Sequence, residues 1–158
     1  MTRTAFTDAL PRRLALAVGA VAALAMGGCT TSPNDLQFGT PLVANLEGEN
    51  EVPQEGDPNG TGRFDAALER NGELCYELFA TGIAQAQAAH IHRGAASENG
   101  PPVVTLATPQ MDRTAEGCTM IEPALASEML GNPENFYVNV HNEPYPGGAI
   151  RGPIVAVE

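Results

Sequence analysis

Short alternating segments separated by turn-forming residues constrain the fold of this chain more than any other feature. Apolar and polar side chains alternate along residues 42–47, 63–69 and 74–78, which is typical of strands that bury one face. Asn71-Gly72 lies between the second and third segments and predicts a hairpin turn. Further predicted strands cover residues 90–92, 103–106, 136–141 and 149–157.

One segment departs from this pattern and predicts a short helix. Residues 122–130 carry Pro123 near the start, and Gly131 follows as a stop signal. About seven short strands joined by turns, with at most one short helix, predict an all-β antiparallel sandwich or barrel. At 158 residues the chain has room for one such domain.

The first 28 residues have the composition of an export signal. Three arginines precede an apolar run from Leu14 to Met26, and Gly27-Gly28-Cys29 follows. The apolar run is too short for a membrane-spanning helix. The Gly-Gly-Cys ending resembles a bacterial lipobox, in which Cys29 becomes the lipidated first residue of the mature protein. We therefore expect an exported, membrane-anchored lipoprotein that faces the periplasm or the cell exterior.

A polar, turn-rich stretch connects this signal to the predicted strands. The chain is therefore divided into an export signal at residues 1–28, a tether at 29–38 and a domain at 39–158. The pair Arg12-Arg13 leaves open whether export uses the general secretory or the twin-arginine route. A lipid on Cys29 is the only membrane contact that the sequence predicts.

The part of the chain that follows the signal is strongly acidic. Of 8 basic and 19 acidic residues, the signal contains three arginines and Asp8, so 5 basic and 18 acidic residues remain. Such a surface repels nucleic acid and anionic lipid headgroups. We expect no nucleic-acid partner, and we consider envelope proteins and extracellular polymers as the classes of macromolecular partner.

Two cysteines besides Cys29 belong to the predicted domain. Cys75 and Cys118 lie in a protein expected to function where disulfides persist. We expect them to form a disulfide, and two unpaired buried thiols are the alternative.

All three histidines of the chain lie in two predicted strands. His90 and His92 point to the same side of one strand, with Ile91 on the other side. Residues 136–141 alternate in the same way, with His141 on the polar face. If the apolar faces share one core and the strands are neighbours, the three imidazoles form a three-nitrogen metal site. Such a site suits copper, or zinc with water as a fourth ligand.

Three further residues are predicted to support the histidines. Asn139 shares the face of His141, and Glu143 follows closely in sequence, so either side chain is placed to orient an imidazole. Arg151 is predicted to place a positive charge near the rim of the site, where it would attract an anionic ligand. A salt bridge from Arg151 to Glu143 or to another acid is the alternative.

Simpler structural roles compete with these assignments. The alternative explanation of the histidines is that they hydrogen-bond to loop backbone and hold Gly94 and residues 147–148 in place. Residues 99–100 and 147–148 are predicted to form turns with positive φ. Glu47, Glu49 and Glu51 are predicted to form a solvated strand edge rather than a catalytic acid pair. The sequence contains neither a nucleophile elbow nor a phosphate-binding glycine loop.

Several motifs follow one another in a characteristic order. They are Leu46-x-Gly48-x-x-Glu51-Val52-Pro53, the segment AHIHRGA at 89–95, Asn99-Gly100-Pro101, the segment YVNVH at 137–141, and PGGAIRG at 146–152. This pattern resembles the CHRD domain, the module named after chordin, over residues 40–157. In animals the module belongs to an extracellular protein that antagonises a growth factor, and bacterial copies are mostly exported. The resemblance implies a binding module rather than an enzyme.

The order of His90, His92, His141 and Arg151 is also similar to that in copper-zinc superoxide dismutase. That family holds copper with a His-x-His strand and a late Val-His strand, and an arginine guides its anionic substrate. Both resemblances imply a Greek-key β-sandwich, and the second implies copper. The chain has no histidine that corresponds to the bridging or zinc ligands, so dismutase activity is not expected.

Overall fold

A computed structural model describes residues 39–111 and 113–157. The predicted export signal, the lipidation site Cys29 and the tether lie outside the described residues. The described chain forms nine strands, one α-helix and two single-turn 3-10 helices. The strands are β1 (Thr40–Glu47), β2 (Thr61–Leu68), β3 (Glu73–Thr81), β4 (Ala86–Arg93), β5 (Pro102–Leu106), β6 (Thr114–Met120), β7 (Phe136–Asn142), β8 (Ile150–Pro153) and β9 (Val155–Ala156). The helix α1 is Pro123–Gly131, and the 3-10 turns are Gly48–Asn50 and Pro133–Asn135.

The strands form one antiparallel sheet that curls into a nearly closed barrel. Its order is β5-β4-β7-β8-β1-β2-β3-β6, and β9 continues beside β1. Around the barrel, β3 therefore lies next to β6 and β4 next to β7, although neither pair is consecutive in sequence. This is a Greek-key arrangement. The predicted all-β antiparallel fold with at most one short helix is confirmed.

The core follows from the two-residue period of the strands. Leu46, Phe64, Ile91, Val138 and Val140 point inward and are at most 1% exposed. Burying a side chain of this size contributes about 1.5–3 kcal/mol relative to leaving it in water. Because Ile91 and the two β7 valines are fixed in the core, the residues that alternate with them must lie on the outer face.

The predicted disulfide between Cys75 and Cys118 is confirmed. The two residues lie directly opposite each other on β3 and β6, with an S–S distance of 2.08 Å. Strand β6 was not predicted from the sequence, because its alternation is weak and Ala115 is its only buried residue.

Two other elements differ in their boundaries from the prediction. Residues 149–157 are not one strand, because Ile154 interrupts the line of β8 and β9 and is itself fully buried. The helix begins at Pro123 and includes Gly131 as its last residue.

Within residues 39–111 and 113–157, no helix is long and apolar enough to span a membrane.

Candidate metal centre

The two histidine-bearing strands are neighbours in the sheet. In the register between β4 and β7, His90 lies opposite Asn139 and His92 lies opposite Tyr137. On the other side of β7, Arg151 of β8 also lies opposite Asn139. All of these residues alternate with buried apolar positions, so they share the outer face of the barrel.

The structure brings the three imidazoles together on this face. One ring nitrogen from each of His90, His92 and His141 lies within 4.8 Å of the other two. The ring centroids are 5.2–6.0 Å apart. Among the residues that the structure describes, this is the group of histidine, cysteine and acidic side chains close enough to hold one metal ion.

Backbone carbonyls orient two of the three rings. The Nδ1 atom of His92 lies 2.9 Å from the carbonyl oxygen of Gly100, and that of His141 lies 3.2 Å from the oxygen of Pro146. A carbonyl oxygen only accepts hydrogen bonds, so each Nδ1 carries the proton and each Nε2 presents a lone pair. The histidines thus do bond loop backbone, as their structural interpretation predicts, but they do so with the nitrogen that faces away from the cluster.

Three buried ring nitrogens face one another without a protein partner. His90 Nδ1, His92 Nε2 and His141 Nε2 are buried and have no hydrogen-bond partner among the described residues. Buried polar atoms in folded proteins are almost always paired, so such a set requires an explanation. Two nitrogens on one ion with bonds of about 2.0–2.1 Å are at most about 4.2 Å apart. Small ring rotations would close the present spacing onto one ion, so the residues fit a metal.

Burial also keeps these rings in the form that binds metal. Desolvation lowers the pKa of His90, His92 and His141 below the usual value for histidine. His90 lowers the pKa of both His92 and His141 further, and His92 lowers that of His141, while the carbonyl contacts raise the pKa of both rings. Metal ligation requires a neutral imidazole, so this environment favours the ligating form at neutral pH.

Two of the residues predicted to assist the histidines, Asn139 and Arg151, contact Glu51. The Asn139 amide donates a hydrogen bond to Glu51 Oε2 at 3.2 Å, so this contact of Asn139 is to a carboxylate rather than to an imidazole. Arg151 is not at the rim, because it is only 1% exposed. Its ion-pair partner is Glu51, at 3.4 Å from Nε to Oε2, whereas Glu143 is exposed.

Glu51 is the residue of this region that the sequence interpretation missed. It was expected on a solvated edge with Glu47 and Glu49, but it is 5% exposed. Burial raises the pKa of its carboxyl from 4.5 to about 7, although Arg151 and the Asn139 hydrogen bond act in the opposite direction. The motif Glu51-Val52-Pro53 was the feature of the sequence that could have indicated a special role for Glu51.

Two glycines near the site are required for different reasons. Gly148 has a φ of +152°, and a Cβ there would overlap the Glu51 carboxylate. Gly100 was expected to need a positive φ but does not adopt one. It must be glycine because a Cβ would overlap the carbonyl oxygen of Arg93. This close approach holds the Gly100 carbonyl where His92 can reach it.

Comparison with known protein families gives one match. A family model described as the CHRD domain matches residues 42–154, which include every residue of the histidine cluster and of the Glu51–Arg151 pair. No curated protein matches the chain.

Proposed function

Since the chain belongs to the CHRD domain family, we propose that it is a binding module that holds one copper ion through His90 Nδ1, His92 Nε2 and His141 Nε2. The observation that carries this proposal is the set of three buried, unpartnered ring nitrogens. A metal-free module would need another partner for these three nitrogens, because leaving them unpaired costs free energy.

The donor set favours copper over other divalent ions. The three ligands are neutral imidazole nitrogens, and complexes of nitrogen ligands with Cu²⁺ are the most stable in the first-row series. Zinc is the alternative, and with three histidines it would need a water molecule as a fourth ligand.

The surroundings of the site favour a protein that binds copper for storage or delivery over an enzyme that converts an anionic substrate. Arg151 is the residue that would attract an anionic substrate in a dismutase-like site. Here its guanidinium is buried and hydrogen-bonded to Ala96, Glu98 and Asn99. A buried cation whose Nη1 and Nη2 groups already donate to residues 96–99 is poorly placed to guide a substrate from solvent.

Metal titration of the purified protein beside a His92→Asn variant tests the proposal. Isothermal titration with Cu²⁺ and with Zn²⁺ should give one site in the wild-type protein and none of comparable affinity in the variant. Glu116→Gln is the control, because it removes an exposed charge on β6 without touching the histidines. It should retain the site.

Two results would contradict the proposal. One is the absence of stoichiometric binding by the wild-type protein. The other is equally weak binding by the wild-type and His92→Asn proteins, which would show that the acidic surface attracts metal nonspecifically. The search would then turn to a metal-free module that binds an envelope protein or an extracellular polymer. Superoxide consumption by the copper-loaded protein would instead indicate a redox enzyme.

We also propose that the protein is exported and anchored to the membrane by a lipid on Cys29. The disulfide between Cys75 and Cys118 supports this, because such bonds persist outside the reducing cytosol. Labelling with an alkyne fatty acid should mark the wild-type protein and not a Cys29→Ala variant. Equal labelling of both proteins would contradict the proposal.

A further inference from the structure

Arg151 connects β8 to the loop at residues 94–100, which we call the site loop. Its Nη1 donates to the carbonyl oxygens of Ala96 and Glu98 at 3.1 and 3.2 Å. Its Nη2 donates to Asn99 Oδ1 at 2.6 Å. Hydrogen bonds from a charged guanidinium are about twice as strong as neutral ones, so this arginine holds the site loop firmly against the outer face.

The last residue of the site loop contacts the histidine cluster directly. Gly100 accepts the hydrogen bond from His92 Nδ1 through its carbonyl, and its N–H donates to the Tyr137 hydroxyl at 3.2 Å. The peptide groups on both sides of Gly100 are therefore fixed. The position of the carbonyl that orients His92 depends on where the site loop is held.

A stack of three side chains gives a second connection between Arg151 and His92. The His92 ring stacks on Tyr137 with centroids 4.9 Å apart and an interplanar angle of 13°. The Arg151 guanidinium carbon lies 4.0 Å from the centroid of the same Tyr137 ring. Tyr137 is on β7, between β4 and β8, so it separates the histidine from the arginine.

We infer that Arg151 is a positioning residue for His92: by holding the site loop and Tyr137, it keeps the proton on His92 Nδ1 and directs the Nε2 lone pair into the cluster. The inference rests on the proposed metal site. His141 is oriented by the Pro146 carbonyl instead, so Arg151 should control one ligand of the three. His141 is therefore an internal control.

Nitrogen-15 NMR of the metal-free protein at pH 8 reads the tautomer of each histidine directly. Three variants test the inference. Arg151→Lys keeps the charge that faces Glu51, and Asn99→Ala removes one acceptor of Arg151 at an exposed residue. Tyr137→Phe removes the hydrogen bond to Gly100 but keeps the ring stack. Arg63→Lys is the matched control, because Arg63 pairs with Asp65 on the surface of β2.

We expect His92 in the wild-type and Arg63→Lys proteins to be in the Nδ1-protonated form. In the three site variants a fraction should shift to the Nε2-protonated form, while His141 does not change. Since the Nε2-protonated form cannot ligate through Nε2, copper affinity should fall in proportion to the fraction of His92 that keeps its proton on Nδ1, and by about tenfold where only about one tenth keeps it.

An unchanged His92 tautomer in folded Arg151→Lys and Asn99→Ala would overturn the inference and leave Arg151 with a role in stability only. A shift of His141 equal to that of His92 would overturn it as well, because it would indicate general loosening. If Arg151→Lys does not fold, Asn99→Ala and Tyr137→Phe decide the question. The tautomer is measured without metal, so a wild-type protein that fails to bind copper would contradict the proposed function separately.

Discussion

Glu51 and Arg151 form an ion pair that is almost completely removed from solvent. Arg151 Nε lies 3.4 Å from Glu51 Oε2, and the two side chains are 1% and 3% exposed. Oε2 also accepts from Asn139, but neither Oε1 of Glu51 nor Nε of Arg151 has a hydrogen bond of good geometry among the described residues. The attraction between the charges therefore offsets only part of the cost of burying them.

The stability of the protein should depend on pH through Glu51. Because burial raises the pKa of this carboxyl from 4.5 to about 7, the folded protein binds the proton more tightly than the unfolded chain between these values. The free energy of unfolding contributed by this group therefore falls as pH rises from about 5 to 7, by on the order of 3 kcal/mol. In Glu51→Gln this contribution should be absent.

Urea unfolding of both proteins at several pH values from 5 to 8 checks this prediction. The histidines have lowered pKa values and contribute the opposite slope, but they are present in both proteins. The difference between the two curves therefore isolates Glu51. Parallel curves over this range would contradict the prediction.

Gly148 and Gly147 should respond very differently to the same substitution. Gly148→Ala puts a methyl group onto the Glu51 carboxylate at a φ of +152°, so we expect a loss of about 2–3 kcal/mol in the free energy of unfolding. Gly147→Ala should change it by less than about 0.5 kcal/mol, because no atom lies within 4 Å of its added carbon. Denaturant unfolding measures both, and equal losses would contradict the overlap argument.

The disulfide should make a large contribution to stability. Its two cysteines are 43 positions apart, and closing a loop of this length stabilises by about 4 kcal/mol in the chain-entropy model. Cys75→Ser combined with Cys118→Ser should lower the free energy of unfolding by about this amount. Adding dithiothreitol should destabilise the wild-type protein and leave the double variant unchanged. A wild-type protein insensitive to reductant would contradict the prediction.

Substitutions at two neighbouring residues of β4 should affect stability and metal binding independently. Ile91 is fully buried, so Ile91→Val should lower the free energy of unfolding by about 1 kcal/mol and leave copper affinity unchanged. His92→Asn changes the outer face and should abolish high-affinity copper binding. Calorimetric titration and urea unfolding of both variants check this, and loss of copper binding in folded Ile91→Val would contradict it.

Most of what could be predicted followed from the alternation of apolar and polar side chains along the strands. It placed His90, His92 and His141 on polar faces, and the structure has them there, since the apolar residues between them fill the core. It could not reveal β6, where Ala115 is the one buried side chain, because a strand that buries so little has no clear period.

Roles that depend on residues distant in sequence could not be obtained in this way. Glu51 has the same acidic neighbours as any solvated edge, and only the approach of Arg151 and Asn139 distinguishes it. Asn99 was expected to be a turn residue, yet its side chain accepts a hydrogen bond from Arg151. Each of these contacts joins segments that are more than 50 positions apart.

The order of residues along each strand establishes which side chains share a face, because alternation follows from backbone geometry alone. Only long-range contacts place β4 beside β7, bind the site loop to Arg151 and pair Arg151 with Glu51. Strand pairing and loop docking depend on long-range packing, and local periodicity does not encode which strand will be the neighbour. The histidines were therefore predictable as ligands on one face, whereas the residues that orient and surround them were not.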